Sequence, residues 1–134
     1  MKNHFSILRL YFCASDTVNR REGWRRVFPI PLGRHLLSAA REAGVEQAIL
    51  HRVEGGYLKG HMLEWDHPER TAPTLPQVLE LIGDEKTLQS FLHVNRELLK
   101  PVRVVMVRAE DLASANRGTV TPRMSATCSG NNSS

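Results

Sequence analysis

Residues 31–56 read PLGRHLLSAAREAGVEQAILHRVEGG, and the change of period inside this stretch decides the fold. Pro31 suits the first turn of a helix, and Gly44 suits the position just past its last. Between them Leu32, Leu36, Leu37, Ala40 and Ala43 recur at helical spacing, with Arg34, Ser38, Arg41 and Glu42 mostly outward, so the segment reads as an amphipathic helix. From Val45 to Glu54 the period falls to two. Val45, Ile49 and Val53 share one face and Ala48 and Leu50 the other, which is the pattern of a strand. Gly55 and Gly56 then end the strand.

Working outward, FSILRLYF at 5–12 is β-branched and aromatic, with Leu8, Leu10 and Phe12 on one face and Ile7, Arg9 and Tyr11 on the other. PQVLELIG at 76–83 sets Val78, Glu80 and Ile82 against Leu79 and Leu81. Asp84 is a natural N-cap for a second helix over 84–100, with Glu85 in the first turn and Lys100 in the last. Pro101 stops it, and VRVVMVR at 102–108 is a final strand. Residues between the first strand and Pro31 read as a polar, basic connection, and 55–76 as a long loop carrying three prolines at its end.

The order βαββαβ predicts an α+β, ferredoxin-like split sandwich: a four-stranded antiparallel sheet with both helices on one face. The other face would carry Ile7, Arg9, Tyr11, Arg103, Val105 and Val107. That mixture is too apolar to leave bare, so the sequence predicts a homo-oligomer through this face.

A chain of 134 residues with 41% hydrophobic content accommodates one domain, over 1–112. Residues 113–134 are rich in Ser, Asn, Thr and Gly and poor in large apolar residues, the composition of a disordered tail. Two cysteines, Cys13 and Cys128, make no disulfide framework and point to a reducing compartment. Cys13 has no activating partner in the sequence order. Arg9 interrupts the N-terminal apolar run, and no run reaches the roughly 18 residues of a membrane span, so a cytoplasmic, soluble protein is expected. The net charge is +4, with Arg20, Arg21, Arg25, Arg26 and Arg34 crowded around Trp24; such a run is more often a solvated basic loop than a phosphate or nucleic-acid site.

Function must come from a site, because this fold hosts many activities. An RNA-recognition sheet needs stacking aromatics on its third strand, and PQVLELIG has none. No nucleic-acid partner is expected. NRREGWRR lacks the compact order of an anion cradle, and EGGYLKGH places Lys before Gly without the Ser or Thr of a magnesium-holding phosphate loop.

Taken together, SILRLYF, PLGRHLLSAAREAGVEQAILHRVEGGY and PVRVVMVR resemble the uncharacterised family called domain of unknown function one-ninety, which is similar to the PII signal-transduction proteins. The likeness runs from Ser6 to Arg108. Its most specific block is Pro31-Leu32, then Ala40 to Gly44, then Ala48, Leu50, Arg52, Glu54 and Gly55. The resemblance implies a PII-like trimer in which the loop between the second and third strands, here Gly55 to Pro76, responds to a ligand such as a nucleotide or other small anion. It also implies that this loop contacts a membrane transporter or enzyme partner. The chain departs from the family in a longer, arginine-rich link before Pro31-Leu32, in Leu58-Lys59 after Tyr57, and in LIGDEKT, which does not match the PII nucleotide loop.

The candidate ligand-binding residues are Arg52, Glu54, Gly55, Gly56, Lys59, His61 and Arg103. Gly55 and Gly56 serve either a backbone turn with positive φ or the close approach of a ligand. Arg52 serves an ion pair with Glu54, an intersubunit contact, or an anion shared with Arg103; Lys59 by its position at a loop tip is more often solvated. His51, His61 and His67 with Glu64 and Asp66 have the chemistry of zinc or copper ligands, the weak metal alternative being His61, Glu64 and His67, but no compact ligand spacing. The sequence therefore predicts a non-enzymatic, PII-like regulatory protein that requires no cofactor. The alternatives are a small enzyme using His51 or His61 as acid or base, and a metal-binding stress protein.

Overall fold

The computed structural model describes residues 4–22 and 25–112; the expectations for Trp24 and for 113–134 lie outside them. The elements are β1 (His4–Cys13), β2 (Thr17–Glu22), β3 (Arg25–Pro31), α1 (Leu32–Glu42), β4 (Gln47–Arg52), β5 (Gly55–Gly56), β6 (Glu64–Trp65), β7 (Pro76–Gly83), α2 (Glu85–Val94) and β8 (Arg103–Glu110). The main sheet has the order β4-β7-β1-β8, with every neighbouring pair antiparallel. This is the ferredoxin-like split arrangement expected from the sequence, and both helices cover one face. Among the described residues no helix is long and apolar enough to cross a membrane.

Alternation on β1 sorts the two faces. Leu8, Leu10 and Phe12 are buried beneath the helices with Leu79 and Leu81 of β7, Leu36 and Ala40 of α1, and Leu88 and Phe91 of α2. The opposite face is open. There the register aligns Ile82, Ile7 and Val107 in one row, Ile49, Glu80, Arg9 and Val105 in the next, and His51, Val78, Tyr11 and Arg103 in the third. Ile49 is 42% and Val107 45% exposed. Arg9 Nε donates to Glu80 Oε2 at 3.1 Å in the middle of this apolar field, and that carboxylate holds the guanidinium pKa above its ordinary value.

Local chemistry explains where the elements stop. Gly44 has φ +78, and its N–H donates to the Arg41 carbonyl while Val45 N–H donates to that of Ala40. This is the paired Schellman pattern that ends α1. Val45 is consumed by that cap, so β4 begins at Gln47 rather than Val45. Pro31 stands just before the helix, not inside it, and the Leu32 N–H is satisfied by the Asp16 carbonyl at 2.8 Å.

Two further element assignments are corrected by the structure. The stretch taken as a polar connection before α1 is a hairpin, β2 with β3, in which Val18 stands opposite Ile30 and packs on the core. The density of arginine hides its alternation. The second helix ends at Val94 instead of Lys100. Asn95 is buried and its Nδ2 donates to the Phe91 carbonyl at 2.9 Å, as does its backbone N–H at 3.1 Å, which closes the helix. The turns over 95–101 still deliver Leu99 to the core.

At its start α2 is capped as expected. Asp84 accepts from the Thr87 N–H at 2.9 Å and from its hydroxyl at 2.7 Å. The Thr87 hydroxyl and N–H hold the Asp84 carboxyl below its ordinary pKa. A carboxyl depressed by folding contributes stability above the unfolded value, about pH 3.9, and loses it as pH falls through the folded value. Asp84→Ala is therefore expected to lower the urea midpoint at pH 7, with the gap to wild type narrowing at a pH below the unfolded carboxyl's value. Urea titrations at the two pH values check this; a gap that stays constant would mean that the carboxylate is not the capping group.

Candidate functional site

The loop that leaves β4 does not extend away from the body. Its root is closed by the short ribbon β5–β6, in which Gly55 pairs with Trp65 and Gly56 with Glu64. A Cβ on Gly55 would lie 2.6 Å from the Trp65 ring, so glycine is required there because the indole packs against the backbone. This replaces the expectation of a positive φ at Gly55. Gly56 does have a positive φ, +159, and Gly60 is at φ +84 in the Leu58–His61 turn, closed by His61 N–H to the Leu58 carbonyl at 2.9 Å.

Arg52 does not pair with Glu54. Its Nε and Nη2 reach the two oxygens of Asp66 at 2.9 and 3.2 Å, while the Glu54 carbonyl accepts the Asp66 N–H at 2.8 Å. Asp66 in turn holds the Arg52 pKa above its ordinary value. These bonds clip the outgoing chain to the returning one. The return arm is tied to the turn after β1 by Ala14 N–H to Leu75 O at 2.8 Å and Ser15 N–H to Pro73 O at 3.2 Å, with Ala72 and Leu75 buried.

With root and return arm held, the tip, 57–63, leans over the C-terminal end of β1 and the start of β8. Between them lies a cleft of about 830 Å³, within the range of small-molecule sites. Lys59 and His61 line it from the loop, Tyr11 and Arg103 from the open sheet face, and Cys13 and Asp16 from the end of β1 and the turn beyond it. Its charged lining is mainly cationic, with the Asp16 carboxylate already accepting from the Cys13 N–H at 2.9 Å.

The sequence-derived candidates therefore divide. Lys59, His61 and Arg103 meet at one cleft; Arg52, Glu54, Gly55 and Gly56 build the loop's root. Arg52 and Arg103 stand on strands at opposite edges of the sheet and on opposite faces, so within one chain they do not converge. His51 lies on the open face, in the row of Val78, Tyr11 and Arg103. Among the described residues no three His, Cys, Asp or Glu side chains come together as a metal site; Glu64 accepts from the Thr74 hydroxyl at 3.3 Å, and His61 turns elsewhere.

His61 turns to Cys13, which sequence order left without a partner. Cys13 Sγ and His61 Nδ1 are 3.4 Å apart. Burial first, and then the negative charge of Asp16, push the thiol pKa up, so the resting group is the neutral thiol. Forty-eight positions separate the two residues, and only the folded-back tip joins them.

These features define a ferredoxin-like body with a loop closed over an edge cleft. The chain belongs to the DUF190 family, described as "Uncharacterized ACR", whose family model matches residues 6–111. Its fold is similar to the crystal structure of a candidate PII-like signalling protein from Thermus thermophilus, with a TM-score of 0.55 and 10% identity, over 86% of this chain and 96% of that one. No protein of curated function matches the sequence.

Proposed function

We infer that this chain is a PII-like regulatory protein that takes a small anionic ligand in the cleft beneath the loop tip and relays its occupancy through residues 55–76. The observation that carries the reading is the meeting of Lys59, His61 and Arg103 at one cavity roofed by that loop. Guanidinium and ammonium groups suit phosphate or carboxylate, and Tyr11 and Tyr57 supply apolar wall for a ligand with a ring. An anion pulling Lys59 and His61 toward Arg103 would draw the tip inward. The loop would then offer Tyr57, Met62 and Leu63, all exposed, differently to a partner such as a transporter or an enzyme.

The apolar open face supports assembly of copies, as a trimer by analogy with the PII proteins. Residues 1–112 would form one domain, in a cytoplasmic protein.

A thermal-shift screen with adenine nucleotides, cyclic dinucleotides and small carboxylates tests the reading. A ligand at a hundred times its Kd stabilises the native state by about 2.7 kcal/mol, a shift of roughly 4–8 °C per kcal/mol for a domain of about this size. Arg103→Ala and Lys59→Ala are each expected to abolish most of the shift. A shift that survives both substitutions would place the ligand elsewhere.

A further inference from the structure

We propose that Cys13 is a modification site that takes a mixed disulfide from a small, carboxylate-bearing disulfide, and that the added group releases the loop tip from the sheet. The proposal concerns regulation of the cleft described above and depends on the ligand reading only for its consequence. Four observations converge on it. Cys13, 7% exposed, lines a cleft of about 830 Å³, ample for a tripeptide-sized added group. His61 Nδ1, a proton acceptor in the tautomer that carries its hydrogen on Nε2, stands 3.4 Å from Cys13 Sγ. Lys59 and Arg103 line the same cleft and suit the reagent's carboxylates. Finally, among the described residues the Cys13–His61 contact is the one side-chain hydrogen bond from the tip, 57–63, to the body.

The step balances with the disulfide reagent as the oxidant. The Cys13 thiol gives its proton to His61 Nδ1 as the sulfur attacks the reagent's S–S bond. A Cys13–S–S–R bond forms, the reagent's bond breaks, and the departing thiolate takes the proton from the imidazolium and leaves as RSH. Cys13 is oxidised to the mixed disulfide and the other half of the reagent is reduced. Because burial and Asp16 keep the resting thiol neutral, attack depends on His61, which confines it to reagents that enter the cleft. Once R is attached, the sulfur has no proton to share and R occupies the space next to His61, so the tip loses its hold.

The experiment uses the full chain carrying Cys128→Ser, reduced and then exposed to glutathione disulfide, with bis(2-hydroxyethyl) disulfide as the uncharged comparison. Intact mass is expected to show one adduct, absent when Cys13→Ser is added. His61→Gln should slow its formation at least about tenfold, the low end of general-base contributions falling near a hundredfold. Lys59→Ala should slow the charged reagent and leave the uncharged one unaffected. Trypsin should cut after Lys59 faster in the adduct than in the reduced protein. A folded chain that stays unmodified while its urea-unfolded form reacts would overturn the proposal, as would an adduct rate indifferent to His61→Gln or a cleavage rate indifferent to the adduct. All these readouts are taken without ligand, so a failed ligand screen leaves them intact.

Discussion

Val107→Glu is expected to turn the proposed assembly of copies into folded monomers. Val107 stands opposite Ile7 on the open sheet face and is 45% exposed in the single chain, so in a monomer the new carboxylate reaches water and the core beneath the helices is untouched. In an assembly that covers this face the same carboxylate is buried. The nearest row of the face does contain a cation, Arg9, but Glu80 already engages it at 3.1 Å. Burying an unpaired charge costs about 3–5 kcal/mol, or roughly two to three and a half powers of ten in association. Light scattering on the purified chain reads the outcome directly. Val107→Thr, similar in shape and uncharged, should remain assembled. If the Glu variant keeps the wild-type mass, this face is not the one that the copies share.

Phe91→Ala carries the largest expected loss of stability. Phe91 is fully buried where α2 meets β1 and β7, among Leu8, Leu81 and Leu88 of the core. Removing its ring takes away apolar burial and leaves a cavity that the sheet cannot fill, at a cost of about 3–5 kcal/mol. Against the 5–15 kcal/mol typical of a domain, such a loss removes at least about a fifth of the stability. Val94→Ala, one turn later on the same helix but 76% exposed, should change stability by no more than about 0.5 kcal/mol. Urea unfolding of the two variants makes the comparison; a Phe91 loss below about 1 kcal/mol would contradict the packing of α2 described above.

The fold was legible wherever one face of an element is buried, because burial writes a period into the sequence. Leu32, Leu36 and Ala40 disclosed α1, and the alternation of Leu8, Leu10 and Phe12 with Ile7, Arg9 and Tyr11 disclosed both faces of β1. The β2–β3 hairpin was not legible, since Val18, which packs on the core, stands in the sequence among polar and charged neighbours that read as loop. Helix α2 was read as too long because Leu98 and Leu99 continue the apolar stripe, while the polar Asn95 that closes the helix is a single residue without a periodic signature.

For the site, the sequence by itself determined the residue types: a Gly-rich exit from β4, a lysine and histidines beyond it, and an arginine beginning the last strand. Only the tertiary structure decided which of them meet. Arg52 turned to Asp66 and not to Glu54, Gly55 proved necessary for the Trp65 ring and not for a positive φ, and Cys13 acquired His61 as a neighbour. The reason is physical. Periodicity records contact with a core that many residues share, whereas a contact between the last residue of β1 and a loop residue 48 positions away depends on how the chain is clipped at Arg52–Asp66 and tied down at Leu75, and leaves no period in the sequence.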